Sequence, residues 1–567
     1  MIWYGLENGQ LRTLRNMLEA PLEFDPVDFI ERTFRAPEHK PAKETIEIAL
    51  SYNLLKTQLI TSLNQIHNYL NDTEKLNLEN LSDDSTPLAY DLLLRPKSAS
   101  IKNALRMRVC DGTNVYLDRL LESFRIKKCR GSKPNSQLHD VIKLYFLSEV
   151  LFFLLTKTAT AVRRGDSILI EPASPEIVKQ LHRKWFANRW EQNSCIANIA
   201  YLDLIPKGAN NSAYFFGAIE ILGKNLVDKI FFLPVDNLPV RLKRSPYIHW
   251  IKKLCTLAVL CMWCKTKNNM EYAPIDWINK IGISNDDIEK VKYYSNAQSE
   301  PDQVFNIVSN GISIGNPSVT IQLRHTLDFI ARNVVDPTFN NIVGEFFEKT
   351  CIIDYFAGDE IRKNYSVFTG FVPRDVQDKS LRPDIDLIIK DINRNKYYFT
   401  QVKYMRIGGK AYISGDIDHL VSGTLHKGMR QLVDAKTALL EGKLKNILLE
   451  KGLHDCTPEN SYFLLIHNVY NFDFVVWPQS IISYEWNTLR NILRCGEVNY
   501  GLSNGPLNTW QHSSVLPFED PDALIEHYIN NSPNSIESSI GTIFDADNLV
   551  VHIDLGGTQI RCKGLGL

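Results

Sequence analysis

No stretch of this 567-residue chain is apolar for long enough to cross hydrocarbon, which takes about 20 consecutive apolar residues. The two nearest approaches fall short. Leu144 to Thr156 is broken by Glu149, and Leu254 to Cys264 has only eleven residues. Both read as buried helices, so a soluble, cytoplasmic protein with no membrane attachment is expected. The opening Met-Ile-Trp-Tyr-Gly-Leu-Glu-Asn has neither the basic end nor the apolar run of a secretion signal. The ten cysteines show no short, regular spacing, which argues against a disulfide framework and for free thiols. An excess of one charge is missing too. With Lys+Arg 64, Asp+Glu 65 and a net charge of -1, the chain is no polycation, and any nucleic acid must be held by local basic patches. There is no internal repeat, no low-complexity tract and no Gly-x-x-x-x-Gly-Lys-Ser/Thr loop, which excludes an evident nucleotide-hydrolysing motor.

The chain has ample material for a core, with 44% hydrophobic residues. Its length corresponds to about three or four domains at roughly 150 residues each. Residues 1–165 are expected to be mainly helical, with long apolar periodicities at Glu44 to Leu70, Leu117 to Phe124 and Val141 to Leu155. The acidic, polar stretch Asn71 to Ser85 reads as a connection. Residues 166–310 mix signals and are expected to serve recognition or regulation. Short strands are predicted at Ser167 to Ile170 and Ile230 to Leu233, and a helix at Ile248 to Lys265. The run Asn296 to Asn316, rich in Ser, Asn, Gly and Pro, is the boundary candidate. A further domain is predicted over 311–490 and a C-terminal extension over 491–567. Within 311–490 the pattern predicts a helix at Thr338 to Phe356 and strands at Ile385 to Lys390 and Tyr397 to Tyr404. A helix at Leu420 to Leu440 and strands at Tyr462 to His467 and Phe472 to Trp477 follow. That order makes a mixed α/β core.

The chemistry concentrates in Arg382-Pro383-Asp384-Ile385-Asp386-Leu387-Ile388-Ile389 and, fifteen residues beyond Asp386, Gln401-Val402-Lys403. Side chains alternate across a strand, so Gln401 and Lys403 share one face. If the two strands pair as a hairpin, Asp384 or Asp386 comes close to Gln401. On the preceding helix Glu345 and Glu348 stand three residues apart and are neighbours on one face. Such oxygen donors suit Mg²⁺, which is commonly held by one or two carboxylates together with waters and substrate phosphate. An adjacent ammonium such as Lys403 can orient a water and offset charge on a phosphoryl group.

These residues resemble the PD-(D/E)xK nuclease superfamily, the restriction-endonuclease-like fold. The resemblance is carried by Gly344-Glu345-Phe346-Phe347-Glu348, Pro383-Asp384 and Gln401-Val402-Lys403, and covers roughly residues 335 to 480. Gln401 stands where most members have an acid, and this Gln-x-Lys form is similar to the Mrr-like restriction branch. The resemblance implies a mixed central sheet flanked by helices, beside a large and mainly helical N-terminal region. It implies an Mg²⁺-dependent (or Mn²⁺-dependent) endonuclease that cleaves DNA to leave a 5′-phosphate. Asp386 or Asp384 and Glu348 or Glu345 would hold the metal, with the Gln401 amide oxygen and the Val402 carbonyl as further ligands, and Lys403 would position the attacking water. The Gly-x-x-x-Glu spacing favours Glu348, the Pro-Asp pair favours Asp384, and the apolar run after it favours Asp386. The helix bearing Lys427-Gly428-Met429-Arg430-Gln431-Leu432 is similar to the family's second helix, whose polar face approaches the site and the backbone phosphates. A restriction or anti-phage effector, forming a homo-oligomer and triggered or restrained by a partner subunit, is the setting this implies. The alternative is a catalytically inactive relative that binds nucleic acid or acts as a scaffold.

Other motifs carry less. Gly311-Ile312-Ser313-Ile314-Gly315 has the letters of a serine-hydrolase elbow, but Asn316-Pro317 follows where a helix should begin. Cys261 and Cys264 have half the spacing of a zinc site inside an apolar helix, with no further ligands nearby. Asp554-Leu555-Gly556-Gly557-Thr558 resembles a sugar-kinase phosphate loop, yet only nine residues follow it. Basic clusters at Arg125 to Lys133, His182 to Arg189 and Arg241 to Lys253 could contact phosphates, the last two with interleaved Trp185, Trp190, Tyr247 and Trp250. Solvated faces with aromatic anchors explain them equally well. His325, His419, His426 and His467 read as hydrogen-bonded structural residues.

Overall fold

The computed structural model describes residues 6, 8–36, 39–69, 136–184, 186–187, 202, 205, 212–233, 235–296, 304–314, 320–335, 340–376, 380–405, 423–469, 472–495, 518–531, 550–555 and 557–565. They form a mixed α/β structure with three sheets among the described residues. Among those residues no helix is long and apolar enough to cross a membrane. The predicted helix at Leu117 to Phe124, the connection at Asn71 to Ser85 and the basic cluster at Arg125 to Lys133 lie outside them. So do Trp185, Arg189, Trp190 and His419.

Two compact units divide the chain. The first comprises the described parts of Met1–Phe186 and Ile525–Leu567. Its helices are α1 (Asn8–Glu19), α2 (Pro26–Thr33), α3 (Lys43–Tyr69) and α4 (Ser136–Leu155). Asp25 caps α2, its Oδ1 accepting from the amides of Val27 and Asp28 at 2.8 and 3.1 Å, with Pro26 set at the first turn where its missing N–H costs nothing. The all-round apolar α4 is buried, as predicted. Residues 159–164, inside the region expected to be helical, instead form strand β1 (Ala159–Arg164), paired with β2 (Ser167–Pro172). Gly165, at φ 61, turns the hairpin where a side chain would be strained. The strands Val550–Asp554 and Gln559–Lys563 complete this sheet, the latter parallel to β2. These two strands pair antiparallel with each other, so the motif does not open a nucleotide-binding domain.

The second unit comprises the described parts of Ala187–Gly409 and Gly423–Leu524. Helices α5 (Ala213–Phe231) and α6 (Pro246–Lys267) share a core with the small sheet β3 (Ala273–Pro274), β4 (Phe305–Val308) and β5 (Gly311–Ile314). Ile230 to Leu233 is not the predicted strand. Ile230 and Phe231 close the last turn of α5, and Phe232 caps it at φ 57, its N–H donating to Asp228 at 2.9 Å. Ser313 lies in β5, so the hydrolase elbow is absent. The thiols Cys255, Cys261 and Cys264 are buried in α6, where burial raises each above the usual thiol range. Tyr247 and Trp250 are buried as well, with Lys253 and Lys290 over the Trp250 ring.

The larger sheet has the order β10-β11-β9-β8-β7-β6. Strands β6 (Tyr365–Phe371), β7 (Ile385–Asp391) and β8 (Lys396–Lys403) form an antiparallel meander. Helix α7 (Asn340–Phe346) precedes it and continues into a π-helical segment, Phe347–Ile353. After the meander α8 (Thr424–Leu440) crosses over, and β9 (Ser461–His467) runs parallel to β8. Strand β10 (Val476–Trp477) then leads to β11 (Ile481–Glu485), parallel to β9, and to α9 (Trp486–Cys495). Crossover helices cover such parallel strands, so their sequences are continuous apolar runs such as Phe463-Leu464-Leu465-Ile466.

The predicted strand at Phe472 to Trp477 is realised only at Val476 and Trp477. Phe474 has a positive φ of 60, and the preceding Asp473 is buried as a hub. Its carboxyl accepts from the amides of Phe474 (3.1 Å) and Glu485 (3.0 Å) and from the Thr488 hydroxyl. Burial pushes Asp473 up to about 8, against those hydrogen bonds. The folded protein thus keeps a proton that the unfolded chain releases near its ordinary value of 3.8, and this contribution to stability is lost as pH rises from about 4 to 8. In Asp473→Asn, Oδ1 retains the amide bonds and Nδ2 donates to Thr488. The variant is therefore expected to gain on wild type by up to roughly 1.4 kcal/mol per pH unit in that window. Urea melts at pH 5, 6, 7 and 8 measure the difference, and a gap independent of pH contradicts the assignment.

Candidate active site

The β7–β8 register sets the geometry. Leu387 pairs with Thr400, the last pair of the β7–β8 ladder. Beyond it Asp386, and Asp384 just ahead of β7, meet Gln401, Val402 and Lys403 through side-chain hydrogen bonds, on the side of the sheet where Gly428 and Gln431 of α8 lie. Gly428 of α8 is why the helix comes so near: a Cβ there would stand 3.0 Å from Lys403 Cγ and Cε and 2.8 Å from Leu465 Cδ1. The lysine stem lies packed against this bare stretch of helix.

The polar atoms interlock. Asp386 Oδ2 accepts from the Val402 amide at 2.6 Å. Gln401, fully buried, donates through Nε2 to the Asp384 carbonyl oxygen at 2.7 Å, while Lys403 Nζ donates to Gln401 Oε1. Gln431 of α8 donates to Asp384 Oδ2 at 2.7 Å. Of the two candidate acids on the preceding helix, Glu348 is half-buried and feels the charge of Lys403, whereas Glu345 is exposed. Glu348 lies in the π-helical segment that begins at Phe347, and an inserted π turn is a frequent device at functional sites.

The electrostatics follow from burial. Asp386 is pushed up to about 6 by desolvation, with Lys403 pulling the other way and Glu348 and Asp384 adding to the rise. Glu348 is raised, again chiefly by burial. Lys403 is lowered by burial, against the attraction of Asp386, Asp384 and Glu348. Three carboxyls thus gather around Lys403, an arrangement that a divalent cation would neutralise. Among the described residues no three His, Cys, Asp or Glu side chains converge tightly enough to enclose a metal by themselves. Mg²⁺ does not require that, since one or two carboxylates with an amide oxygen, waters and substrate oxygens satisfy it.

The sequence missed Gln431 as a partner of Asp384, although it sits three residues after a mid-helix glycine, a spacing that marks one face of close approach. It also missed Gly370. Thr369 pairs with Leu387 and Phe371 with Ile385, so Gly370 faces Asp386. A Cβ there would overlap the Ile385 carbonyl oxygen and stand 2.7 Å from the Asp386 carbonyl carbon. Gly370→Ala is expected to destabilise the fold by about 1–3 kcal/mol through overpacking and to displace the Asp386 backbone. Urea denaturation with a parallel Mn²⁺ titration checks both, and wild-type values in the two would contradict the close approach. Among the other histidines, His467 is buried, with Nε2 2.6 Å from Ser483 Oγ and Nδ1 accepting from the Val469 amide.

No protein-family model, curated protein or solved structure matches this chain.

Proposed function

We propose that the chain is an Mg²⁺-dependent nuclease that hydrolyses phosphodiester bonds in DNA, with a core of the restriction-endonuclease-like kind. The observation that carries this reading is the meeting of Asp384, Asp386, Gln401 and Lys403 on one face of β7 and β8, with Glu348 of the preceding helix beside them. The helix, meander, crossover helix and parallel strand around them support it, as does a mixed sheet flanked by helices. Asp386, Asp384, the Gln401 amide oxygen and Glu348 are the residues that could hold the cation. Bound there, Mg²⁺ would stabilise charge on the phosphoryl oxygens and acidify a water. The chain's own part is then to orient. Lys403, held by the Gln401 amide and the Gly428 contact, aims its ammonium at the carboxyl cluster, where it can direct a nucleophilic water and offset developing charge. Exposed Lys427 and Arg430 on α8 supply phosphate contacts at the rim.

Plasmid, linear and single-stranded DNA incubated with the protein in Mg²⁺, Mn²⁺ or EDTA test the proposal. Cleavage with either metal that EDTA abolishes is expected. The engagement of both ends of the Gln401 amide by protein groups favours a second reading, a catalytically silent nucleic-acid-binding protein. DNA binding in Ca²⁺ without cleavage in Mg²⁺ or Mn²⁺ would select that reading instead.

A further inference from the structure

Asp384 is gripped twice by carboxamides. Gln401 Nε2 from β8 donates to its backbone oxygen and Gln431 Nε2 from α8 donates to its Oδ2, each at 2.7 Å. Both amides have a fixed orientation. The Asp384 carbonyl and carboxylate oxygens only accept, so an amide oxygen turned towards either would repel. The other end of Gln401 accepts from Lys403. The other end of Gln431 is buried with no donor among the described residues, which leaves its N–H group as the end that works. An acid at position 401 would set a carboxylate oxygen against the Asp384 carbonyl oxygen, two acceptors facing with no proton between them. The amide at 401 therefore matches its surroundings and is more than a lost charge.

We propose that Gln431 and the amide nitrogen of Gln401 are a positioning pair. Together they fix Asp384 at its backbone and at its carboxylate, so that Oδ1 is the oxygen left outside the clamp and turned to the service of a divalent cation. This rests on the metal-dependent reading above. Partners that orient a ligand typically affect metal affinity or activity by roughly 10- to 100-fold.

The test is a titration of the full chain with Mn²⁺, following the paramagnetic signal of the free ion, with thermal melting alongside. Wild type is compared with Gln431→Glu, Gln431→Met and Gln401→Glu. The two Gln431 variants keep the side chain's length and lose its donor. Gln401→Glu adds a negative charge and so should tighten binding if position 401 acts only as a ligand. The expected result is binding by wild type and roughly 10- to 100-fold weaker binding by all three variants, with Gln431→Met melting near wild type. If buried Gln401→Glu fails to fold, the Gln431 pair decides. Variants that bind as tightly as wild type, or a tighter Gln401→Glu, overturn the positioning pair and leave the site reading intact. Melting temperature falling in step with affinity in both Gln431 variants makes Gln431 a packing residue and overturns the pair too. No Mn²⁺ binding by wild type overturns the site reading and the pair with it.

Discussion

Lys403→Met is expected to lower DNA cleavage by roughly 10³-fold while the fold remains, because positioned proton transfer and a preorganised charge each contribute on that order. Methionine keeps the apolar stem that packs against Gly428 and removes only the ammonium. Lys403→Ala should be equally inactive but less stable, since it also empties that contact. Lys403→Arg keeps the charge, yet its longer, planar head cannot take the same place between Gln401 and the helix. The lysine also restrains the neighbouring acids, so its loss is expected to raise Asp386 and Glu348 further, because both feel its charge. Single-turnover cleavage of a plasmid at saturating Mg²⁺ measures the effect. A methionine variant that cuts within threefold of wild type would remove Lys403 from the chemistry.

Asp386→Asn gives the second large effect: at least about 100-fold weaker divalent-metal binding and cleavage lower by roughly 10³-fold. Asparagine retains an oxygen for the Val402 amide, so the β7–β8 contact survives and the lost anion is isolated. The pH dependence has a definite sign. Asp386 titrates at about 6 because it is buried, and only its ionised form can ligate a cation. At low, subsaturating metal, affinity should therefore rise with pH up to about 6 and level off above it. Excess metal moves that midpoint down, since binding draws the ionised form. In the metal-free protein the same raised value makes stability fall between about pH 4 and 6, where the unfolded chain has already released this proton. Mn²⁺ affinity measured from pH 5 to 7.5 checks the first part. A flat profile in wild type would mean that Asp386 is not a ligand.

The parts of the large sheet that were legible in the sequence are those buried on both faces. Strands β7, β8 and β9 read as apolar runs because most of their residues on both faces are buried, and α4 and α6 stood out because they too are buried. Edges and turns were not legible. Strand β6 is half-exposed and interrupted by Gly370, a residue whose need is the close approach of the Ile385–Asp386 backbone. Phe472 to Val475 has strand-like apolarity, but Asp473 gathers three hydrogen bonds that bend it away from the sheet.

At the candidate site the sequence by itself determined the strand parity. The alternation of Asp384 with Asp386 and of Gln401 with Lys403 commits each pair to one face as soon as the strands form. It also supplied the order of acid, lysine and basic helix. The Gly-x-x-x-Glu spacing already favoured Glu348 of the two helix acids, and in the structure Glu348 is half-buried and Glu345 exposed. Only the tertiary structure brought Gln431 to Asp384, across 47 residues. Local periodicity specifies which way a side chain points from its own strand or helix. Which remote donor it meets is set by how closely α8 can approach β8, and that distance is governed by Gly428, a residue with no side chain to read.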